Sequence, residues 1–373
     1  MKQGWKYRVY TKRLNRLIEQ TAVCKCDVLA LMPGANLFYI TGLSFHLSER
    51  PVVALFPVGR RPAIVLPALE AVKVEQASIE LDVFPYRDEE GYATAFESAC
   101  AALELADCTI GVEALRMRLL EVQLLQLYAP GHQLVPAEDV LAGLRVRKDQ
   151  SELEQMRRSV AVTEAALRST VCQVRAGMTE SEVAALLTVE LYQAGGEGVA
   201  FPPIVAAGPN AASPHSTPTH RPIGPGETLV IDCGATVGGY AADITRTFAI
   251  GALEPELANV YEVVQAANAA GLGAAGPGVP AEEVDRAARA VIAEAGYGKY
   301  FIHRTGHGLG LEVHEAPFIV AGNRQLLEPG MTFTVEPGIY LPGRGGVRIE
   351  DDVLVTPSGV ESLTAFPRQF ASL

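Results

Sequence analysis

Residues 229–248, LVIDCGATVGGYAADITRTF, constrain this chain more than any other stretch. The apolar run Leu229-Val230-Ile231 ends on Asp232. A Gly-rich bend follows at Val237-Gly238-Gly239, and the chain returns through Tyr240 and Asp243 into the polar Thr245-Arg246-Thr247. Apolar runs bounded by glycine read as the two strands of a hairpin. A two-residue turn centred on Val237-Gly238 sets Asp232 directly opposite Asp243, and opposed residues on paired strands have Cβ atoms about 4.5–5.5 Å apart. Carboxylates that close repel unless one holds a proton or cations lie between them. A surface hairpin would leave both acids solvated; a buried one asks for a partner. A pair of metal ions, about 3.5–4 Å apart in two-metal hydrolases, meets that demand.

The pattern recurs. Residues 332–336, TFTVE, form a β-rich run ending on Glu336 ahead of Pro337-Gly338, and Val347-Arg348-Ile349-Glu350 returns after the bend Gly343-Arg344-Gly345-Gly346. Centring that turn on Gly343 makes Glu336 face Glu350. Between the two hairpins in sequence lies His303-Arg304-Thr305-Gly306-His307-Gly308, with His314 seven residues further on. His307 stands between two glycines, whose bare backbone lets its ring approach an ion. Four carboxylates and one imidazole suit Mn²⁺, Co²⁺ or Zn²⁺ in a dinuclear site better than a thiolate zinc site. Surface charge, or pairing with Arg246, Arg344 or Arg348, would explain each glutamate separately but not the repetition.

Ahead of this region, strand patterns at residues 27–32, 36–42, 51–58, 62–67 and 109–112 alternate with helical periodicity at 10–21, 69–76, 92–105 and 119–128. That alternation predicts an α/β layer domain. The charged run 145–154, RVRKDQSELE, marks the boundary, giving domains 1–143 and 144–373. Ser151 with Glu154 caps a long helix to about residue 173, and Thr179 with Glu182 caps a second. Two more helices follow at 254–270 and 281–295. A net charge of −12 excludes nucleic acid as the main partner, because backbone binding needs a basic face. No run of about 18 apolar residues exists to span a membrane. The basic N-terminus lacks the apolar core of a secretory signal. The six cysteines form neither a CxxC pair nor a disulfide framework, so they read as reduced thiols of a cytoplasmic protein. Cys24 and Cys26 read as sharing one strand face, and Cys233 as packing on the sheet face opposite Asp232.

Taken together, Asp232-x-Gly, Asp243-x-Thr-Arg-Thr, Thr-Gly-His307-Gly-x-Gly-Leu-x-Val-His314-Glu, Glu336-Pro-Gly and Arg348-x-Glu350-Asp resemble the proline-specific metallopeptidases of the pita-bread fold, the Xaa-Pro dipeptidases (prolidases) and aminopeptidase P. The motifs cover the chain from about residue 145 onward. The first domain is similar to the family's creatinase-type N-terminal domain. The resemblance implies an α/β (α+β) protein whose pseudo-symmetric catalytic domain supplies one hairpin from each half. It implies that Asp232, Asp243, His307, Glu336 and Glu350 ligate two divalent ions (Mn, Co or Zn), with Asp243 and Glu350 as bridges. By the same resemblance His215 binds substrate, His303 and His314 contact the peptide around the scissile bond, and Tyr340 and Arg348 line or support the pocket. The implied reaction is attack by a hydroxide held between the ions on the carbonyl before proline, with Glu336 taking the water's proton and His314 donating to the oxyanion. The expected partners are proline-containing peptides and a second copy of the chain. Three readings of the site stay open: a dipeptidase or aminopeptidase, a carboxypeptidase using Arg50, Arg60 or Arg61 to hold the C-terminal carboxylate, and a non-peptidase amidohydrolase on the same fold. The complete set of five ligands argues against a binding module with a dead site.

Overall fold

The computed structural model describes residues 2–373. It divides into two compact units, Met1–Arg145 and Val146–Leu373. The first contains α1 (Lys2–Val23), β1 (Val28–Leu31), α2 (Ala35–Thr41), β2 (Val53–Pro57), β3 (Ala63–Pro67), α3 (Ala71–Val74), β4 (Asp82–Tyr86), α4 (Ala93–Ala102), β5 (Thr109–Val112), α5 (Leu119–Tyr128), β6 (Gln133–Pro136) and α6 (Glu138–Arg145). Its sheet runs β4-β3-β2-β1-β5-β6. The β1–β2 and β2–β3 pairs are antiparallel and the rest parallel. Strands β1, β2 and β3 are buried along their whole length, which is why their sequences are unbroken apolar runs instead of alternating ones.

Two expectations fail here. Residues 36–42 are not a strand but lie in α2 and its cap. The carboxylate of Glu113 accepts from Asn36 Nδ2 (2.7 Å) and from the amide of Met32 (2.6 Å), and Gly42 closes the helix at φ +75° with its amide on the Phe38 carbonyl. The left-handed glycine closes the helix, and Asn36 is tethered to a buried acid at its start, against the β-prone side chains. Cys24 and Cys26 share no strand: Cys24 lies in the turn after α1, where Lys25 takes φ +58°.

The second unit begins with α7 (Gln150–Gln173), α8 (Glu180–Gln193), β7 (Gly198–Val199), β8 (Ile204–Ala207), β9 (Thr228–Cys233), β10 (Ala235–Val237), β11 (Tyr240–Ala241) and β12 (Ile244–Ala249). It continues with α9 (Pro255–Ala274), α10 (Ala281–Glu294), β13 (Gly306–Gly308), β14 (Glu315–Ile319), β15 (Thr332–Val335), β16 (Gly338–Leu341), β17 (Gly345–Arg348), β18 (Asp351–Thr356) and β19 (Gly359–Ser362). Each half is a helix pair followed by an antiparallel sheet, β12-β9-β8 in the first and β14-β13-β15-β18-β19 in the second. That repetition is the pseudo-symmetric arrangement expected from the sequence. The box capping α7 is Asp149 with Glu152, not Ser151 with Glu154. Asp149 Oδ1 accepts from the amides of Ser151 and Glu152, and Glu152 Oε2 accepts from the Asp149 amide. The box of Thr179 and Glu182 opens α8 as expected.

Along β9 the side chains alternate. Leu229, Ile231 and Cys233 enter the apolar core with Val183, Leu187 and Ile244, while Asp232 takes the other face. Burial pushes the Cys233 thiol well above its ordinary value, as befits packing. All six cysteines are unpaired. Among the described residues no helix is long and apolar enough to cross a membrane.

Candidate metal centre

The first hairpin turns on Gly238-Gly239, at φ +59° and +82°, with Val237 paired to Tyr240. Two successive positive φ values are the signature of a type I′ turn, which only glycine, asparagine and aspartate adopt readily. The turn is therefore centred one residue later than the sequence suggests, and Asp232 pairs with Thr245, not Asp243. Asp243 precedes Thr245 by two residues, so it keeps the face of Asp232 and becomes its diagonal neighbour. The second hairpin does turn about Gly343: Leu341 pairs with Gly345 and Gly338 with Arg348, a register that, continued by two residues, sets Glu336 against Glu350.

The two hairpins are joined by side chains from β12. Thr247 Oγ1 donates to the Arg348 carbonyl and accepts from its amide (2.9 and 3.1 Å). Arg246 is buried, and its guanidinium donates to the carbonyls of Glu350 (2.6 Å), Phe366 (2.6 Å) and Pro367 (2.9 Å) and to Asp351 Oδ1 (2.8 Å). Thr245 Oγ1 accepts from Arg348 Nε (3.0 Å) and donates to Glu350 Oε2 (2.6 Å). The polar Thr245-Arg246-Thr247 run is thus wholly internal. A charged residue in a strand with no exposed face was the available signal for this role, and the sequence reading did not use it.

These links bring Asp232, Asp243, His307, Glu336 and Glu350 onto one wall of a cavity of about 600 Å³. Ligand atoms of Asp243, His307 and Glu350 all lie within 4.8 Å of one another. His307 Nε2 is 3.6 Å from Asp243 Oδ2 and 3.2 Å from Glu336 Oε1. Its Nδ1 faces the Gly308 carbonyl at 3.2 Å, so Nε2 is the nitrogen turned to the acids. Asp232 Oδ2 accepts from Arg348 Nη2 (2.6 Å), while its buried Oδ1 has no hydrogen-bond partner. Burial, then the neighbouring acids, push Asp243 and Glu350 well above the usual carboxylate range. Burial also opposes the ionisation of Glu336, but His307, then His303 and Arg348, outweigh it and hold that carboxyl at about 2. The wall is a buried set of acceptors with too few donors. That chemistry fits divalent cations bound by hard oxygen and one imidazole nitrogen.

The other sequence-predicted residues surround the same cavity. His215, His303, His314 and Arg348 line it, with Phe201, Ile204, Pro214 and Val313 as its apolar surface. Tyr340 stands behind that lining. Its hydroxyl accepts from Arg348 Nη1 (3.0 Å) and donates to His303 Nε2 (2.9 Å), while His303 Nδ1 faces the Arg304 carbonyl (2.7 Å). Both nitrogens of His303 are therefore engaged within the protein. His314 is not so committed. Its ring stands edge-on to His307 at 4.2 Å between centroids, and burial, then His307 and Arg304, lower its pKa to about 4. Arg304, which the sequence reading passed over, also lines the cavity. Its guanidinium stacks 4.7 Å over the Phe318 ring, and among the described residues no carboxylate pairs with it. Arg50, Arg60 and Arg61 are paired instead, with Asp88, with Glu104, and with Glu80 and Asp82 respectively.

Comparison with known proteins agrees with this geometry. Residues 13–147 match the creatinase/prolidase N-terminal domain. The chain is 39% identical to the probable dipeptidase PepE of Mycobacterium tuberculosis over 366 residues, covering 97% of this chain and 96% of that protein. It is 36% identical to a Xaa-Pro dipeptidase of Lactobacillus helveticus, covering 91% and 92%. A crystal structure of a prolidase from Thermococcus sibiricus superposes with a TM-score of 0.93 at 33% identity, covering 98% of this chain and 99% of that one. Residues 154–357, which include Asp232, Asp243, His307, Glu336 and Glu350, match metallopeptidase family M24, and the chain belongs to that family, its pita-bread catalytic domain following a creatinase-like N-terminal domain in sequence.

Proposed function

We propose that this protein is a dinuclear metal-dependent Xaa-Pro dipeptidase. The observation that carries the reading is the convergence of Asp232, Asp243, His307, Glu336 and Glu350 on one cavity that Phe201, Ile204, Pro214 and Val313 also line. Those five residues would hold two divalent ions, Mn, Co or Zn. When bound, such ions supply Lewis acidity and bring the pKa of a water to about 7.

The remaining work falls to side chains. Glu336 is held ionised, so its carboxylate is ready to accept the proton of the attacking water. His314, neutral and with no partner of its own, donates a ring N–H to the oxygen of the carbonyl under attack; donors of this kind contribute about 2.7–4 kcal/mol each. His303 is fixed by Tyr340 and the Arg304 carbonyl, so it shapes the pocket wall against the substrate. Arg348 holds Asp232 and the Pro214 carbonyl (3.2 Å), tying the acceptor wall to the segment that presents His215 for substrate binding. The amide nitrogen of a Xaa-Pro bond bears no hydrogen, and its ring fixes φ, so an apolar surface with no acceptor for that amide selects it.

Arg304 favours a dipeptidase over a longer-substrate enzyme. A half-buried guanidinium lining the cavity, with no carboxylate paired to it among the described residues, suits a substrate whose own carboxylate lies next to proline. The relatives named dipeptidase support the same choice. The unpaired thiols support a reducing, cytoplasmic setting. Leu115, Leu119 and Leu127 of the N-terminal unit are at least two-thirds exposed, which supports a homodimer.

The test compares Ala-Pro, Ala-Pro-amide, Ala-Pro-Ala and N-blocked Ala-Pro in wild type and Arg304→Met, beside elemental analysis of the purified protein. Ala-Pro should be the best substrate, and Arg304→Met should lower its kcat/KM by about tenfold or more while hardly changing the amide. Hydrolysis that survives removal of metal, or no hydrolysis of any Xaa-Pro peptide by the loaded protein, would overturn the reading.

A further inference from the structure

At the base of the loop that carries His215 lies a carboxylate with no part in the chemistry so far. Glu180, the first residue of α8, is completely buried. Its Oε1 accepts from the amide of Ala207 (2.8 Å) and from Asn210 Nδ2 (3.1 Å). Its Oε2 accepts from the Thr219 amide (3.0 Å), from Thr219 Oγ1 (2.6 Å) and again from Asn210 Nδ2 (3.0 Å). One side chain thus bonds the backbone at both ends of residues 207–219, the segment that carries Pro214 and His215 into the cavity. A loop whose ends are drawn together in this way is an Ω-loop, and here a charged group forms its neck.

What else holds His215 in place is limited. Its ring makes no hydrogen bond among the described residues, so its position is inherited from the backbone. Within the loop, the Pro214 carbonyl is held by Arg348 and the turn Gly208–Ala212 packs closely on β17, where the Gly346 backbone leaves no room for a Cβ beside the Ala211 carbonyl. Beyond Thr219 the chain is already sewn to the start of α8, through the Glu180 and Ser181 amides and the Thr179–Pro222 bridge. Across the neck Arg221 Nη1 also donates to the Ala207 carbonyl (3.4 Å) and Asn210 Nδ2 to Thr219 Oγ1 (3.3 Å), but it is Glu180 that accepts the amides of both Ala207 and Thr219. A carboxylate at a helix N-terminus is favourably placed, and hydrogen bonds to a charged group are about twice as strong as neutral ones.

We infer that Glu180 is a positioning residue: it fixes the loop that presents His215, and so sets substrate affinity without touching substrate or metal. The inference rests on the proposed role of His215 in substrate binding. Glu180→Gln keeps the size but turns an acceptor into a donor facing Asn210 and Thr219; Thr219→Val removes one donor and leaves the acid. With Ala-Pro as substrate, Glu180→Gln should raise KM about tenfold and Thr219→Val about threefold, with kcat and bound metal unchanged. In a His215→Ala background neither substitution should raise KM further, because the group being positioned is gone. A KM within twofold of wild type in both folded variants, or an equal rise in the His215→Ala background, would overturn the inference. If Glu180→Gln does not fold, Thr219→Val decides by the same outcomes. Failure of the wild type itself to cleave Ala-Pro would instead refute the proposed function. Amide exchange then decides on the loop: Glu180→Gln should speed exchange at Ala207 and Thr219, and unchanged protection there would reject the clamp.

Discussion

The ionisable residues of the cavity divide by what surrounds each of them. Glu336 and His314 both have lowered pKa values: His307, then His303 and Arg348, hold Glu336 ionised against its burial, and burial, then His307 and Arg304, keeps His314 neutral. In the proposed reaction that pairing would supply a proton acceptor and a hydrogen-bond donor at neutral pH. The two are separable by experiment. Glu336→Ala should remove both metal retention and turnover, since its carboxylate belongs to the acceptor wall. His314→Ala should keep the metal and lower kcat by about 10²–10³. Elemental analysis beside single-turnover kinetics distinguishes the two, and loss of metal in His314→Ala would contradict the assignment. At this scale the sequence was most legible. Acids, imidazoles and glycines carry their chemistry in their identity, so the wall was readable from spacing. Arg304 and Glu180 were not, because a lone arginine or a helix-capping glutamate has the same appearance on any surface.

Secondary structure shows where reading stops. The first hairpin was placed one residue early, yet both aspartates stayed on one face, because moving the turn centre by one residue shifts the strand pairing by two, the period of the pleat. The error was harmless for the site and visible only in φ. Replacing Gly239, at φ +82°, by alanine should destabilise the protein by about 1 kcal/mol, read as a lower urea midpoint at unchanged m. A change below a few tenths would show that the tip relaxes freely. Edge strands β4 and β6 escaped the sequence pattern for a common reason. Each contains a proline and lies at a margin of the sheet, where alternation is weak and a missing N–H is tolerated. The strand pattern over α2 arises because its buried face includes Tyr39, Ile40 and Thr41, while the features that go with the helix are the left-handed Gly42 cap and the bond from the Asn36 side chain to the distant Glu113.

For the whole molecule, the catalytic unit is closed by its own end. After β19 the chain runs back past β12: Ala249 donates to the Ala371 carbonyl (2.9 Å), Leu373 donates to the Ala249 carbonyl (2.8 Å), and Phe370 stacks on Tyr261 at 5.2 Å. Arg368 Nε donates to Asp351 Oδ2 (2.6 Å), the acid that also receives Arg246. A chain ending at Ala365 should keep its fold but bind Mn²⁺ about tenfold more weakly, because Arg246 would lose the Phe366 and Pro367 carbonyls while still buried beside Glu350. Competition with a chelator of known affinity measures this, and an unchanged affinity would show that the tail is only cladding. No local pattern announces such an arrangement, since its parts are more than 100 residues apart in the chain.

Because Arg246 reaches for the carbonyls of Phe366 and Pro367, which follow every acid of the site in the chain, a nascent polypeptide has those acids before it has the strut that aligns them. Alignment of those acids is therefore a late event in vectorial folding, completed by the segment that follows β19.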